Sequence, residues 1–375
     1  MKESSALPTA ATSDTATRLP AVYDVLRDAI AERAFPGCAF GVLAGGRVVL
    51  EDSLGRFTYK EDSPAVTPQT VFDVASLTKV ACTTAAAMLL HQQGRLNLET
   101  PLGDLLPGFV IGRTAGTFAR HVRLRHLLAH SSGLPGYVEF FREHTTPMGL
   151  MRACLELPVE IPPGSRAEYS DPGFILLGKA LESIVEEPLW RWVPREIFAP
   201  LEMTASVFCP RPAVRPLIPP TEEDSGFRHC TIQGQVQDEN AAVLNGAAGH
   251  AGLFTNVRDL LLLAREILAA GNHPSVGEPA KLFHPATVEV FAERQPPEDS
   301  TRALGWDTPG ENSSSGQHFS SRSIGHLGFS GCSLWIDREA GVAVVLLTNR
   351  TWPDRANQAI RQVRPAFHDA VRTTL

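Results

Sequence analysis

Ser76 and Lys79 stand three positions apart at the mouth of a long Ala/Leu-rich run, a spacing that puts a hydroxyl and an amine on one face of a helix. A serine hydroxyl attacks a carbonyl only once a neighbouring base takes its proton. An ammonium set among Val74, Ala75, Val80, Ala81 and Ala85 is desolvated, which favours its neutral form and makes Lys79 a candidate for that base. Spacing of this kind also recurs by chance. Scarcity sharpens it here: the chain has five lysines against 29 arginines, and Lys79 is the only lysine with a serine three residues before it. The bland alternative is a serine that caps a first turn, followed by a lysine that snorkels to solvent.

The elements that must position this pair can be read from periodicity. Residues 19–34 carry Val22, Leu26, Ile30 and Ala31 at helical spacing. Residues 38–43 and 48–54 flank Gly45-Gly46 and read as a strand–turn–strand hairpin. A buried helix is expected from near Ser76 to Gly94, a C-cap glycine. Residues 122–201 are mainly helical in pattern, clearest at 122–129 and 172–185, and 202–252 look irregular. Thr255, Asn256 and Asp259 signal a helix start that runs through Leu268. Residues 332–337 and 342–348 are strong strand runs, and an amphipathic helix is expected over 355–371. Trp306 and the Ser/Gly-rich stretch 310–316 read as an exposed loop at a rim.

Strand pairs at both ends of the chain flank a helical middle. The expected fold is therefore α/β, an antiparallel sheet flanked by helices with an inserted helical lobe. Its division would be a disordered tail at 1–18, a discontinuous α/β domain of 19–95 and 241–375, and a mainly helical domain of 96–240. A cleft between two such lobes is where small-molecule sites form.

Composition narrows the function. The chain is 43% hydrophobic and 20% charged, ordinary for a globular protein, and a net charge of −7 with scattered arginines gives no attraction to nucleic acid or anionic lipid. No run is apolar enough to read as a secretory signal or a membrane span. The six cysteines (Cys38, Cys82, Cys154, Cys209, Cys230 and Cys332) show neither zinc nor disulfide spacing, so reduced thiols and a cytoplasmic location are expected. His126 and His130, four apart, have metal-ligand spacing but no third ligand beside them and read as packing residues. Gly246, Gly249 and Gly252 lack the strand–loop–helix context and the lysine of a phosphate loop. No cofactor and no metal are expected.

Five segments together resemble a known family. They are Ser76 to Lys79, the histidine-rich 122–135, the run 162–171 with Tyr169-Ser170-Asp171, the loop 249–254, and 325–331 with His326-Leu327-Gly328. Their order and spacing are similar to the penicillin-recognising serine hydrolases, in the branch of class C β-lactamases, family VIII esterases and D-aminopeptidases. The resemblance implies that Ser76 is the nucleophile that becomes acylated, and that Lys79 takes its proton or holds the network that does. It implies that Tyr169 shuttles a proton to the leaving group, against the bland reading of a buried tyrosine that merely satisfies a backbone group. It also implies an oxyanion hole formed by the amides of Ser76 and Phe329.

Two departures from the β-lactamase pattern bear on substrate. The lysine of the family's Lys-Thr-Gly, which helps hold a ligand carboxylate, is His326 here, and the threonine is Leu327. The asparagine of Tyr-x-Asn is Asp171, which only accepts hydrogen bonds when ionised. If Asp171 meets Lys79, it keeps the amine protonated and moves the base role toward Tyr169; if it faces the cleft, it favours a substrate with a positive group. Asp171, His326, Leu327, Gly328 and His250 are the expected substrate-binding residues. The implied function is hydrolysis of an ester or a D-amino-acid peptide or amide, with weak or no action on β-lactams. The alternatives are a ligand-binding protein without turnover and an acyltransferase with an acceptor other than water. The expected partner is a small molecule, with no nucleic acid or membrane, and no pattern indicates an oligomeric state.

Overall fold

The computed structural model describes residues 19–375. The expected tail at 1–18 lies outside the described residues. Helices of eight or more residues are α1 (Pro20–Ala31), α2 (Ala85–Gln92), α3 (Pro147–Glu156), α4 (Asp171–Val185), α5 (Val257–Ala270), α6 (Pro285–Ala292) and α7 (Ile360–Thr374). Five strands, β1 (Gly37–Ala44), β2 (Arg47–Gly55), β8 (Ile324–Leu327), β9 (Ser333–Asp337) and β10 (Val342–Thr348), make one antiparallel sheet in the order β2-β1-β10-β9-β8. The remaining strands are β3 (Phe72–Asp73), β4 (Val207–Phe208), β5 (Pro220–Asp224), β6 (Cys230–Gln233) and β7 (Leu253–Thr255).

The two ends of the chain meet where Cys38 pairs with Thr348 and Ala44 with Val342. Gly45 and Gly46 both have positive φ (58° and 72°), the backbone that a two-residue turn between twisted strands requires. Strand alternation sends Val342, Val344 and Leu346 to one face and Ala343, Val345 and Leu347 to the other. The first face packs on α1 and α7, with Phe40 in edge contact with Tyr23 and Phe367. The second face lies against α5, which sits close enough that a Cβ on Gly41 would fall 2.4 Å from Val257.

Asn256 caps α5 by accepting the Asp259 amide at 3.0 Å, as its sequence signal predicts. The helix that follows Ser76 is buried nearly all round and opens as a π-turn (Lys79–Thr84) before α2. Two expectations need correcting. Residues 202–252 contain the β5–β6 hairpin and a short helix (Glu239–Val243). Trp306 is only 1% exposed, because its neighbour Asp307 exchanges both backbone hydrogen bonds with Gly325 (2.8 and 2.9 Å). That pairing draws the segment around 301–308 onto the open edge of the sheet.

Candidate active site

β3 pairs with β7 and delivers the chain into a tight turn at Ala75, whose φ is +47°. Ser76 ends that turn and Lys79 begins the π-turn, so the two side chains meet as their spacing predicts. Lys79 is fully buried, and its Nζ donates to Ser76 Oγ at 3.0 Å, to Asp171 Oδ1 at 2.6 Å and to the His250 carbonyl at 3.2 Å. All three ammonium protons are thereby spent. Burial pulls the Lys79 pKa down, but the Asp171 carboxylate and the Tyr169 oxygen outweigh it and the net shift is upward. Of the two placements open to Asp171, the structure shows contact with Lys79.

Asp171 opens α4, and Ser170 caps that helix: its Oγ accepts the Gly173 amide at 3.0 Å and donates to the Pro135 carbonyl at 2.7 Å. The Ser170 amide donates to His130 Nδ1 at 3.0 Å, which leaves the His130 proton on Nε2. The His130 ring lies 4.5 Å from the Tyr169 ring and backs it. Burial, then the charges of Arg302 and Lys79, push the His130 pKa well below its usual value, so it packs as a neutral ring. The Tyr169 oxygen faces Lys79 and Ser76, and the Lys79 Nζ lies 4.8 Å from its ring centroid. Burial raises the Tyr169 pKa, with Asp171 adding to the rise and Lys79 opposing it.

The opposite wall is the end of β8. Gly328 is required there, since a Cβ would fall 2.3 Å from the Val74 carbonyl oxygen. His326 is buried, and its Nδ1 donates to the Leu327 carbonyl at 2.8 Å. Its Nε2 therefore presents a lone pair, and that atom has no partner among the described residues. Burial, then Lys79 and Arg302, hold its pKa well below the usual value, so the ring is neutral near pH 7. Phe329 is half exposed beneath the Arg350 guanidinium, 4.3 Å from its ring, and the Phe329 carbonyl accepts from Arg350 Nε at 2.8 Å.

Ser76, Tyr169, Asp171, His326, Leu327, Gly328 and Phe329 all line one cleft of about 700 Å³. The side chain of His250 is not brought into it. It is buried behind the wall, with Nε2 2.8 Å from Asp238 Oδ1, and it is Asp238 that lines the cleft. No group of three or more His, Cys, Asp or Glu among the described residues could hold a metal ion. Sequence reasoning missed Arg302, whose guanidinium lies 5.3 Å from the Tyr169 ring centroid and whose ion pair with Asp307 is long, at 3.7 Å. No spacing motif marks it.

The sequence profile of the beta-lactamase family matches residues 22–366. The chain belongs to the beta-lactamase family. Among its relatives, an N-acetylmuramyl-L-alanine amidase of Bacillus subtilis (strain 168) is 29% identical over 348 residues, covering 84% of this chain and 77% of that one. Of solved structures, EstCE1, a hydrolase with promiscuous acyltransferase activity, superposes with a TM-score of 0.73 at 21% identity over 95% of this chain and 100% of its own. The octameric penicillin-binding protein homologue from Pyrococcus abyssi gives 0.67 at 21% identity, over 91% of this chain and 76% of its own. These two likenesses are of fold. Within the beta-lactamase family, the motifs at 76–79, 169–171 and 326–328 occupy a single cleft in this protein. Among the described residues, no helix is long and apolar enough to cross a membrane.

Proposed function

We propose that the protein is a serine hydrolase that forms an acyl-enzyme on Ser76 and hydrolyses esters or D-amino-acid-containing amides. The observation that carries this reading is the convergence of Ser76 Oγ and Asp171 Oδ1 on one fully buried ammonium, at 3.0 and 2.6 Å, at the cleft. Asp171 keeps Lys79 charged, so the base role passes to Tyr169. The reacting form carries Tyr169 as a phenolate, the minor form at neutral pH given its raised pKa, held by the adjacent Lys79 ammonium. That oxygen takes the Ser76 proton as the hydroxyl attacks and, now a phenol, gives the proton to the leaving group. The Ser76 and Phe329 amides donate to no backbone carbonyl among the described residues and are available to the developing oxyanion. The neutral His326 cannot hold a carboxylate as the family's lysine does, so penicillins are poor substrates in this reading. The B. subtilis relative, named an amidase, supports an amide alongside an ester.

The test is intact-protein mass spectrometry after exposure to a fluorophosphonate, p-nitrophenyl acetate, D-Ala-containing peptides and penicillins. The expected result is one adduct on the peptide that contains Ser76, and loss of both labelling and turnover in Ser76→Ala. Undiminished hydrolysis by Ser76→Ala would refute the assignment.

A further inference from the structure

We infer that Asp73 is a positioning residue that sets the two amides of the oxyanion hole. This rests on the acyl-enzyme reading above. Asp73 is 2% exposed at the end of β3, outside every motif read from the sequence. Its Oδ1 accepts the Ala75 amide at 2.9 Å, and its Oδ2 accepts the Gln237 amide at 2.7 Å. The first bond closes an Asx turn over Ala75, a residue held at φ +47°, where a side chain is strained. That strained residue directly precedes Ser76, so the bond fixes how the Ser76 amide points.

The Asp73 carbonyl accepts from Ser330 Oγ at 2.7 Å, and Ser330 directly follows Phe329. One residue thus holds both turns that carry the oxyanion donors, with its side chain on one and its backbone on the other. The Gln237 contact extends the hold to the segment bearing Asp238, whose partner His250 offers its carbonyl to Lys79.

An ionised carboxylate accepts both amides, whereas a carboxylic acid or a carboxamide accepts one and turns a donor toward the other. Burial raises the Asp73 pKa to about 6, with Asp238 adding to the rise and Arg228 opposing it. Cys332 packs on the Asp73 carbonyl from the β8–β9 turn, and Arg364 of α7 holds the Cys332 carbonyl from behind. Protonation of Asp73 should therefore loosen the oxyanion turn as pH falls through about 6.

The experiment compares the parent with Asp73→Asn and Ser330→Ala on p-nitrophenyl acetate across pH 5 to 8, together with affinity for phenylboronic acid, which forms a tetrahedral serine adduct. Asp73→Asn is expected to lose about 10- to 100-fold in kcat with little change in KM, and a matching factor in boronate affinity. Its rate should lack the acid limb that the parent shows. Ser330→Ala, which removes only the second tether, is expected to lose about fivefold in kcat. If Asp73→Asn keeps the parent's kcat and acid limb, the inference is overturned. If Asp73→Asn does not fold, Ser330→Ala decides, and an unchanged kcat and boronate affinity overturn it. A parent that a fluorophosphonate fails to label at Ser76 would instead refute the acyl-enzyme reading.

Discussion

The two walls of the cleft handle polar atoms in opposite ways. On the wall of Lys79, Tyr169 and Asp171, the groups are spent on one another: the ammonium gives all three of its protons to protein acceptors, and Ser170 both caps α4 and bonds to His130. On the wall of β8, the His326 Nε2 lone pair has no partner among the described residues, and the Arg302 guanidinium has a long ion pair with Asp307 and a ring contact with Tyr169. A preorganised network costs no rearrangement at the moment of reaction. Unspent groups are what a ligand can satisfy. The first wall is suited to moving a proton and the second to recognising what is bound, and variants on the two walls should differ in kind.

The largest effect is expected on the first wall. Tyr169→Phe keeps the ring that His130 backs and removes only the oxygen facing Ser76 and Lys79. Its kcat should fall by about 10²- to 10⁴-fold on every substrate, the range for a lost general acid–base group. Stopped-flow measurement of acylation would check this. A loss below tenfold would return the base role to Lys79.

On the second wall the effect should be selective. Arg302→Gln removes a guanidinium that lines the cleft 5.3 Å from the Tyr169 ring centroid. KM for substrates with a carboxylate in the leaving group should rise by roughly 10- to 100-fold, the value of a charge-assisted hydrogen bond. A neutral ester such as p-nitrophenyl acetate should be unaffected. Equal losses on both substrates would mean that Arg302 acts through Tyr169 and that the walls are not separate.

The asymmetry was only half legible in the sequence. The sheet was readable because β1 and β10 are continuous apolar runs and Gly45-Gly46 mark their turn. The Ser76–Lys79 contact is local, so helical spacing sufficed to place it. Asp171 lies 92 residues from Lys79, and only the packing of α4 against the π-turn could show which way it faces. The β5–β6 hairpin was obscured by Pro220 and three acidic residues: Glu222 is met by Arg355 from far along the chain and Asp224 by Arg228 of the hairpin's own turn, while Glu223 is exposed. Arg302 and Trp306 were missed because an irregular segment paired to a sheet edge leaves no periodic trace. His250 was in the expected loop, but its ring turns to Asp238 and only its carbonyl reaches the lysine.

Asp171→Asn probes the first wall most finely, because it should change the identity of the base more than the rate. In the parent the carboxylate holds the Lys79 pKa above its ordinary value, so the pair adds stability below the unfolded lysine pKa and loses it as pH rises through the folded one. With asparagine only the Tyr169 oxygen still opposes the burial penalty, the largest of the influences on Lys79, and the folded pKa is expected to drop below the unfolded value. The sign of the linkage then reverses: stability should increase with pH up to about 10.4, the ordinary lysine value. Neutral amine becomes available at lower pH and serves as the base, so the rising limb of kcat/KM, which reports deprotonation of the base, should move down by about 1 to 3 units, while the rate at pH 7 changes by less than about tenfold. Urea unfolding at pH 7 and pH 9 beside a pH–rate profile would check both halves. If the parent and the variant lose stability in parallel between those pH values, Asp171 is not what keeps the lysine charged, and Lys79 must be restored as the base.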